Sequence, residues 1–147
     1  GKDALFQCPQ CFDPQLFCQD CIVLLHQALQ LHVVEIWNSR FFQRCSLRSL
    51  GLQFQLGHPI GEPCLNPKPA NKDEFVVIAS HGIISINLDY CACLSAADPS
   101  IQLLQSRLFP ATTINPQTAA TFDVLHLFQL LTFGSKVSGF EFYHSLA

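Results

Sequence analysis

The chain has few charged residues and no net positive charge. Only 13% of its 147 residues are charged and the net charge is −3, whereas an average soluble domain is about 25% charged. The composition therefore excludes a global basic field that would draw the chain onto DNA or an anionic membrane. Apolar residues make up 49% of the chain. Part of the surface should thus be apolar, and we expect another protein or domain to cover it.

Long apolar runs, internal repeats and low-complexity tracts are also missing from the sequence. No stretch approaches the ~18 uninterrupted apolar residues of a membrane-spanning helix, so we expect no membrane insertion. A length of 147 residues suits one domain or two small ones. The motifs divide the chain into an N-terminal zinc-knuckle segment, residues 1–37, and an α+β segment, residues 38–147.

Cysteine is plentiful, and it occurs in pairs accompanied by histidine. Two C-x2-C pairs and one C-x-C pair account for six of the eight cysteines. A disulfide framework does not need neighbouring histidines, whereas zinc sites commonly combine the two residue types. The pattern favours structural zinc over disulfides, and a reducing, intracellular compartment.

The N-terminal segment carries six candidate zinc ligands within 25 residues: Cys8, Cys11, Cys18, Cys21, His26 and His32. Six ligands are too many for one tetrahedral site and too few for two. In a sequential arrangement the four cysteines bind one ion. In an interleaved arrangement the first cysteine pair joins His26 and His32, and Cys18 and Cys21 need partners elsewhere. Only six residues separate the two cysteine pairs, which is tight for wrapping one ion and favours the interleaved arrangement.

A second candidate zinc site consists of His58, Cys64, Cys91 and Cys93. Because side chains alternate along an extended segment, a C-x-C pair directs both thiols to one face. Residues 57–74 contain four prolines and two glycines, which predicts a long loop that carries the other two ligands over that strand. The alternative is that these cysteines are small buried apolar residues. Cys45 has no pair and is predicted to be such a core thiol.

Hydrophobic periodicity predicts an α+β fold with a small antiparallel sheet around residues 52–109, a second zinc site on that sheet and C-terminal helices. The residues Ser80-His81-Gly82 predict a hairpin between two of the strands. The predicted elements, in chain order, are a helix over 22–31, strands over 33–37, 52–56, 75–79, 83–90 and 101–109, and helices over 118–133 and 138–146.

Three arginines are the best sequence evidence for DNA binding. Arg40, Arg44 and Arg48 are spaced by four, so they would share one face if this segment were helical. The negative net charge favours the alternative that they form an ordinary solvated face.

The sequence offers little support for catalysis. Each proposed zinc site can be closed by four protein ligands, which is typical of structural zinc. The acidic residues near the apolar elements make no recognisable catalytic set; they are Asp89, Asp98, Asp123 and Glu141. We therefore expect a module that is not an enzyme and has no small-molecule substrate.

These motifs occur in an order that resembles one family. The runs FQCPQC, LFCQDC, WNSRFF, LGLQFQLGHPIGEPC, FVVIASHGIISINLDYCAC, QLLQSRLFPAT and TAATFDVLHLFQLL extend over nearly the whole chain. Together they are similar to the CxC-like cysteine-cluster domain attached to Kyakuja–Dileera–Zisupton (KDZ) transposases of basidiomycete fungi. The resemblance implies a nuclear, mobile-element protein whose cysteine cluster precedes a DDE-type catalytic domain. It also implies that the transposase catalytic domain, another protein or DNA is the partner.

The resemblance further implies an explanation for the ligand count. Family members carry another C-x2-C pair upstream of the segment that matches residues 4–8, and eight ligands would make two interleaved sites, as in B-box or ZZ modules. Without that pair, the zinc site that contains Cys18 and Cys21 is expected to lack two of its four ligands. The family pattern also continues beyond residue 147 into the transposase, so no catalytic carboxylates can be assigned here. A degenerate transposon remnant without activity is the remaining alternative.

Overall fold

The computed structural model describes residues 2–70, 74–136 and 138–147. The elements in chain order are β1 (Phe6–Gln7), α1 (Gln19–Leu25), β2 (Val33–Trp37), β3 (Phe42–Ser46), β4 (Gln53–Gln55), β5 (Pro67–Pro69), β6 (Phe75–Ala79), β7 (Gly82–Cys91), α2 (Pro99–Gln105), β8 (Leu108–Pro110), β9 (Thr118–Thr121), α3 (Phe122–Ser135) and α4 (Gly139–Leu146). The predicted α+β class, with helices at the C-terminal end, is confirmed.

The N-terminal part is an antiparallel sheet of order β1-β2-β3 with α1 packed beside it. This sheet contains strands from both segments of the sequence analysis, residues 1–37 and 38–147, because β2 pairs with β3 along its full length. A small core lies under this sheet. Its buried members are Phe6, Cys8, Ile22, Val34, Leu47 and Leu52.

The helix predicted over residues 22–31 is shorter and begins earlier. It ends at Leu25, and the chain continues as turns in which the Leu29 N–H donates to the His26 carbonyl and the His32 N–H donates to the Leu29 carbonyl. These hydrogen bonds join residues three apart, as in turns, and not four apart, as in an α-helix. They fold the segment back so that both histidines reach the same place.

The main sheet has the order β4-β7-β6-β9-β8, and β5 also pairs with β7. The predicted hairpin is confirmed as β6 and β7, with Val77 opposite Ile84. Alternate residues of β6, and of β7 as far as Leu88, are buried, as expected for strands with one face on the core. The last four residues of β7 are all buried, so both faces of the strand are covered there. The sheet is mixed rather than purely antiparallel, since the pairs β4–β7 and β6–β9 are parallel.

The strand predicted over residues 101–109 is wrong. This segment contains α2 (Pro99–Gln105) and then the short strand β8 (Leu108–Pro110). Pro99 occupies the first turn of the helix, where its missing N–H is not needed. Arg107, with φ of 61°, separates helix from strand. A short apolar run is compatible with the periodicity of a helix and with that of a strand. Here the helix forms because it packs Leu103 into the core.

The helix predicted over residues 118–133 is wrong in its first turn. Residues Thr118–Thr121 form β9 beside β6, and the helix begins only at Phe122. The Thr121 hydroxyl accepts a hydrogen bond from the Val124 N–H at 3.1 Å, so this residue ends the strand and caps α3. The last predicted helix is confirmed as α4, which a Ser138–Glu141 capping box begins.

The loop predicted over residues 57–74 is interrupted by β5, which pairs with the end of β7. Residues 71–73 of that loop lie outside the described residues. Among the helices of the described part, none combines the length and the hydrophobicity needed to cross a lipid bilayer.

The helical face predicted for the three arginines does not form. Arg44 lies in β3 opposite Glu35, whereas Arg40 precedes that strand and Arg48 lies in the turn after it. The Arg48 Nε donates to Asn87 Oδ1 at 3.1 Å, and its guanidinium is 3.6 Å from Glu74. This segment forms a strand because the β-branched and aromatic residues of β2 and β3 favour pairing of the two strands over the helix that the arginine spacing would require.

Candidate metal centres

The first cluster joins Cys8, Cys11, His26 and His32, whose ligand atoms all lie within 4.8 Å of one another. Cys8 follows β1, and the Cys11 N–H donates to the Cys8 carbonyl, which closes the knuckle turn. His26 caps the end of α1 and His32 directly precedes β2. The structure therefore has the interleaved arrangement, with both histidines on the first cysteine pair.

The spacing of these atoms matches the edges of a tetrahedron. With Zn–S of about 2.3 Å and Zn–N of about 2.0–2.1 Å, tetrahedral geometry puts two sulfurs about 3.8 Å apart and a sulfur and a nitrogen about 3.5 Å apart. The Cys8 Sγ is 3.5 Å from His32 Nδ1. The Cys11 Sγ is 3.5 Å from His26 Nε2 and 3.6 Å from His32 Nδ1. These three sulfur–nitrogen distances are thus those of a tetrahedral site.

A backbone contact orients His26 for ligation. Its Nδ1–H donates to the Ile22 carbonyl at 2.8 Å, which leaves Nε2 free to face Cys11. Metal-bound histidines usually have such a partner on the second ring nitrogen. The ring is only 1% exposed, so its position is fixed by the core around it.

The electrostatics of this cluster disfavour charged ligands when no cation is present. Burial, and then the neighbouring Cys8 thiol, raises the pKa of Cys11 to about 11. Burial, followed by His26 and His81, lowers the pKa of His32 below its usual 6.5. A bound cation would stabilise the thiolates and favour the neutral imidazoles, so it would supply the charge that the buried site lacks.

The second cluster joins His58, Cys64, Cys91 and Cys93, again with all ligand atoms within 4.8 Å of one another. The Cys91 Sγ is 3.3 Å from His58 Nε2, and the Cys93 Sγ is 3.8 Å from the same nitrogen. The Cys64 and Cys93 sulfurs are 3.8 Å apart, which is far longer than a disulfide of about 2.05 Å and equal to a tetrahedral S–S edge. All eight cysteines are free thiols.

The folding of the sheet explains how this second cluster forms. Cys91 is the last residue of β7, and Cys93 follows two positions later on the same side, as the C-x-C spacing predicts. The loop after β4 carries His58 and Cys64 across that strand end. The Cys64 N–H donates to Gln55 Oε1 at 3.2 Å, which ties the loop to β4.

The two thiols of the C-x-C pair differ in acidity. The backbone N–H of Cys93 is the main cause that lowers the pKa of Cys91 to about 7. The hydrogen bond with Cys91 raises the pKa of Cys93 to about 11. The more acidic of the two thiols, Cys91, is also the one that lies closer to His58 Nε2.

Two supporting residues were missed by the sequence analysis. Gln102 of α2 is 2% exposed, and its amide bonds to the backbone of Cys91. Gly57 has φ of +83°, and a Cβ there would lie 2.6 Å from the Cys91 Cβ. A glutamine inside an apolar run and a glycine directly before His58 are the signals that could have indicated them.

The remaining cysteines lie outside both clusters. Cys18 and Cys21 contact each other, and the backbone N–H of Cys21 is the main cause that lowers the pKa of Cys18. Cys45 packs against the N-terminal core, with its Sγ 3.3 Å from the Ser49 hydroxyl. His81 Nε2–H donates to the Leu31 carbonyl at 2.7 Å and so joins the hairpin tip to the first cluster's segment.

Each cluster offers four ligands from cysteine and histidine, which fill a tetrahedron and leave no open position for a substrate. That arrangement is typical of a structural metal and not of a catalytic one. Sites of this kind hold distant parts of a chain together. Here they join the loop after β4 to the end of β7, and the knuckle after β1 to the turns after α1.

Residues 47–147, well over half of the chain, match the family described as CxC2 like cysteine cluster associated with KDZ transposases. The match includes the whole second cluster, while residues 1–46, with the first cluster, lie outside the matched range. No curated protein and no solved structure matches the chain. The family is an accessory cysteine cluster and not a catalytic domain. The chain belongs to the CxC2-like cysteine-cluster family associated with KDZ transposases.

Proposed function

We propose that this protein is a zinc-binding, non-catalytic module that accompanies a KDZ-type transposase in the nucleus and contacts protein partners. The observation that carries the proposal is the second cluster, which lies within the family match and has the edge lengths of a tetrahedral zinc site. Zinc here would hold the loop against the sheet, and the protein surface would do the binding.

The donor set supports zinc over other metals. Thiolate and imidazole ligands in a tetrahedron suit Zn²⁺, whereas Mg²⁺ and Ca²⁺ prefer oxygen ligands in larger coordination shells. Iron–sulfur clusters are commonly held by thiolates alone, and both clusters here include histidine. A reducing nuclear environment would keep the thiols available for the ion.

The C-terminal helices support a protein partner. The helix α3 has apolar residues around its whole circumference and no lysine or arginine, a pattern usually found in helices that are covered on all sides. Only Val124 of its described side chains is fully buried, while Leu130 is 57% and Phe133 86% exposed. On α4, Phe140 is 74% exposed. A second protein surface, such as the transposase catalytic domain, would cover these side chains.

Zinc content of the purified chain tests the metal part of the proposal. We expect at least two zinc ions per chain by mass spectrometry of the metals, and one fewer in Cys64→Ser. The matched control is Cys45→Ser, a thiol outside both clusters, which should keep the wild-type zinc content. A wild-type content below two ions per chain, or a Cys64→Ser variant with unchanged zinc, would contradict the proposal.

DNA contact is a second candidate, favoured only by the exposure of Arg40 and Arg44. Arg48 already bonds to Asn87 and Glu74, so the basic surface is small and the chain is net negative. A mobility shift on generic duplex DNA at low salt tests this candidate. An Arg40→Ala/Arg44→Ala variant should abolish any shift, and the absence of a wild-type shift would exclude the candidate.

A further inference from the structure

A groove of about 490 Å³ is lined by three parts of the chain. The first part includes Gln27 and Gln30, which lie in sequence between the two histidines of the first cluster. The second part is β4 with the two residues before it. The third part is the loop of residues 59–63, which lies in sequence between two ligands of the second cluster. Two of the three parts are therefore held at both ends by candidate metal ligands.

The strand β4, which lines this groove, has an open edge. Within the part of the chain that the structure describes, β4 pairs with β7 and with no other strand. The Leu56 N–H donates to the Asp89 carbonyl at 3.0 Å. Because backbone groups alternate along a strand, those of Phe54 also face β7, whereas the N–H and carbonyl groups of Gln53 and Gln55 face away from it. Such an edge can pair with another extended chain.

The polar side chains of the groove suit a peptide. Four of its lining residues are glutamines, and an amide can donate to one peptide group and accept from another. The Gln30 Nε2 donates to the Gln27 carbonyl, and the Gln55 Oε1 accepts from the Cys64 N–H. The side-chain amides of Gln27 and Gln53 have no hydrogen-bond partner among the described residues, so they are available to a bound chain.

The charge in the groove suits a basic residue of such a peptide. Among the residues that line the groove, Glu62 alone is charged, and neither ion pair of the described residues includes it. A turn fixes its backbone, since the Glu62 N–H donates to the Pro59 carbonyl at 3.1 Å and Gly61 takes the positive φ that the turn needs. The net charge of −3 also favours a cationic partner.

We propose that this groove binds an extended peptide segment of a partner protein, which pairs with the edge of β4 and places a lysine or arginine beside Glu62. This inference rests on the proposed function, in which bound zinc holds the flanking segments and the partner is a protein. In recognition by strand addition, main-chain hydrogen bonds supply affinity and side-chain contacts supply specificity. Here the backbone of Gln53 and Gln55 has the first role and Glu62 has the second.

The first test is a selection of displayed random peptides of about eight residues, the length of an ordinary strand, on the zinc-loaded 147-residue chain. We expect the enriched peptides to share a lysine or arginine at one position. They should lack proline at the positions that pair with β4, because proline has no N–H to donate. Absence of enrichment, or enrichment of acidic peptides, would overturn the inference.

A charge-pair test uses one enriched peptide with a fluorescent label and a second form in which norleucine replaces the basic residue. Glu62→Gln should weaken binding of the basic form about three- to fivefold at low salt and leave the norleucine form unchanged, as measured by fluorescence anisotropy. The matched control is Asp3→Asn, which removes one negative charge at an exposed position outside the groove and should bind as wild type. Equal losses for both peptides would show that Glu62 does not face the basic residue.

Strand pairing is tested through the backbone of the same peptide. Methylation of a peptide nitrogen that faces β4 should weaken binding at least about tenfold, whereas methylation of the next nitrogen, which faces away, should have little effect. Binding should also slow hydrogen exchange at the N–H groups of Gln53 and Gln55 more than at that of Phe54, which already faces β7. Equal effects at alternate positions would contradict the pairing.

The zinc content of the same sample separates this inference from the proposed function. At least two zinc ions per chain with no enriched peptide would overturn the groove and leave the proposed function standing. A content below two ions per chain would contradict the proposed function itself. A stable dimer in light scattering that fails to bind the peptides would place a second copy on the edge of β4, and it too would overturn the inference.

Discussion

The amide of Gln102 holds the backbone of Cys91 on both sides. Its Oε1 accepts from the Cys91 N–H at 2.8 Å, and its Nε2 donates to the Cys91 carbonyl at 2.9 Å. The same Nε2 also donates to the Ala97 carbonyl at 2.7 Å. The helix α2 thereby fixes the strand end that presents the C-x-C thiols, although Gln102 touches no ligand atom of the cluster through these bonds.

Replacing Gln102 by alanine should weaken both the fold and the metal site. The substitution leaves the buried N–H and carbonyl of Cys91 without partners, so we expect the free energy of unfolding to fall by about 2–4 kcal/mol. Zinc affinity should fall about 10–100-fold, as for other groups that orient metal ligands. Urea unfolding and competition with a chromogenic chelator measure the two effects. Gln105→Ala, at an exposed position of the same helix, should change neither.

Alanine substitutions at two glycines would distinguish the cost of a steric clash from the cost of a strained backbone. Gly57 and Gly61 have φ of +83° and +92°, but only at Gly57 would a Cβ meet Cys91, at 2.6 Å. Each alanine substitution should lose about 1–2 kcal/mol through the left-handed backbone. Gly57→Ala should lose about 1–3 kcal/mol more, because Cys91 must move. Thermal unfolding of the two variants measures the difference, and equal losses would refute the close contact.

The hydroxyl of Tyr90 is buried without a hydrogen-bond partner among the described residues. Burial also raises the pKa of Tyr90 to about 12. Removing an unsatisfied polar atom from the core should be neutral or favourable, so we expect Tyr90→Phe to raise the free energy of unfolding by up to about 1 kcal/mol. Denaturant titration checks this, and a clear destabilisation would show that the hydroxyl has a partner.

Acid should destabilise the N-terminal part through His32. Because burial lowers the pKa of His32 below 6.5, the unfolded chain takes up its proton at a higher pH than the folded chain does. The stability contributed by the neutral ring is complete above pH 6.5 and falls as the pH drops below it. Protons also displace zinc from this ring, and that effect has the same sign.

One variant and one control would show whether His32 causes the pH dependence of stability. We expect His32→Asn to be less stable than wild type at pH 7 and to lose less stability between pH 6.5 and pH 5, as measured by urea unfolding. His126→Asn, at an exposed position of α3, should follow the wild-type curve. Parallel curves for wild type and His32→Asn would show that other groups carry the acid sensitivity.

Much of the candidate site could be predicted from local patterns. The C-x2-C and C-x-C spacings indicated thiols that share one face, and the hairpin over residues 75–90 was visible in the alternation around Ser80-His81-Gly82. The supports around the site could not be predicted. Gln102 lies eleven residues from Cys91 in sequence, and nothing local indicates that its amide would reach that backbone.

The amino-acid sequence alone determined the kind of chemistry, because residue type and a spacing of two or three positions decide which neighbouring thiols can bind the same ion. Tertiary packing alone decided between the sequential and the interleaved arrangement of the N-terminal ligands, and it keeps Cys18 and Cys21 apart from both clusters. It also turned residues 99–105 into a helix and residues 118–121 into a strand. The reason is physical. Short apolar runs fit either backbone period, and the free energy that selects one comes from burial against parts of the chain far away in sequence.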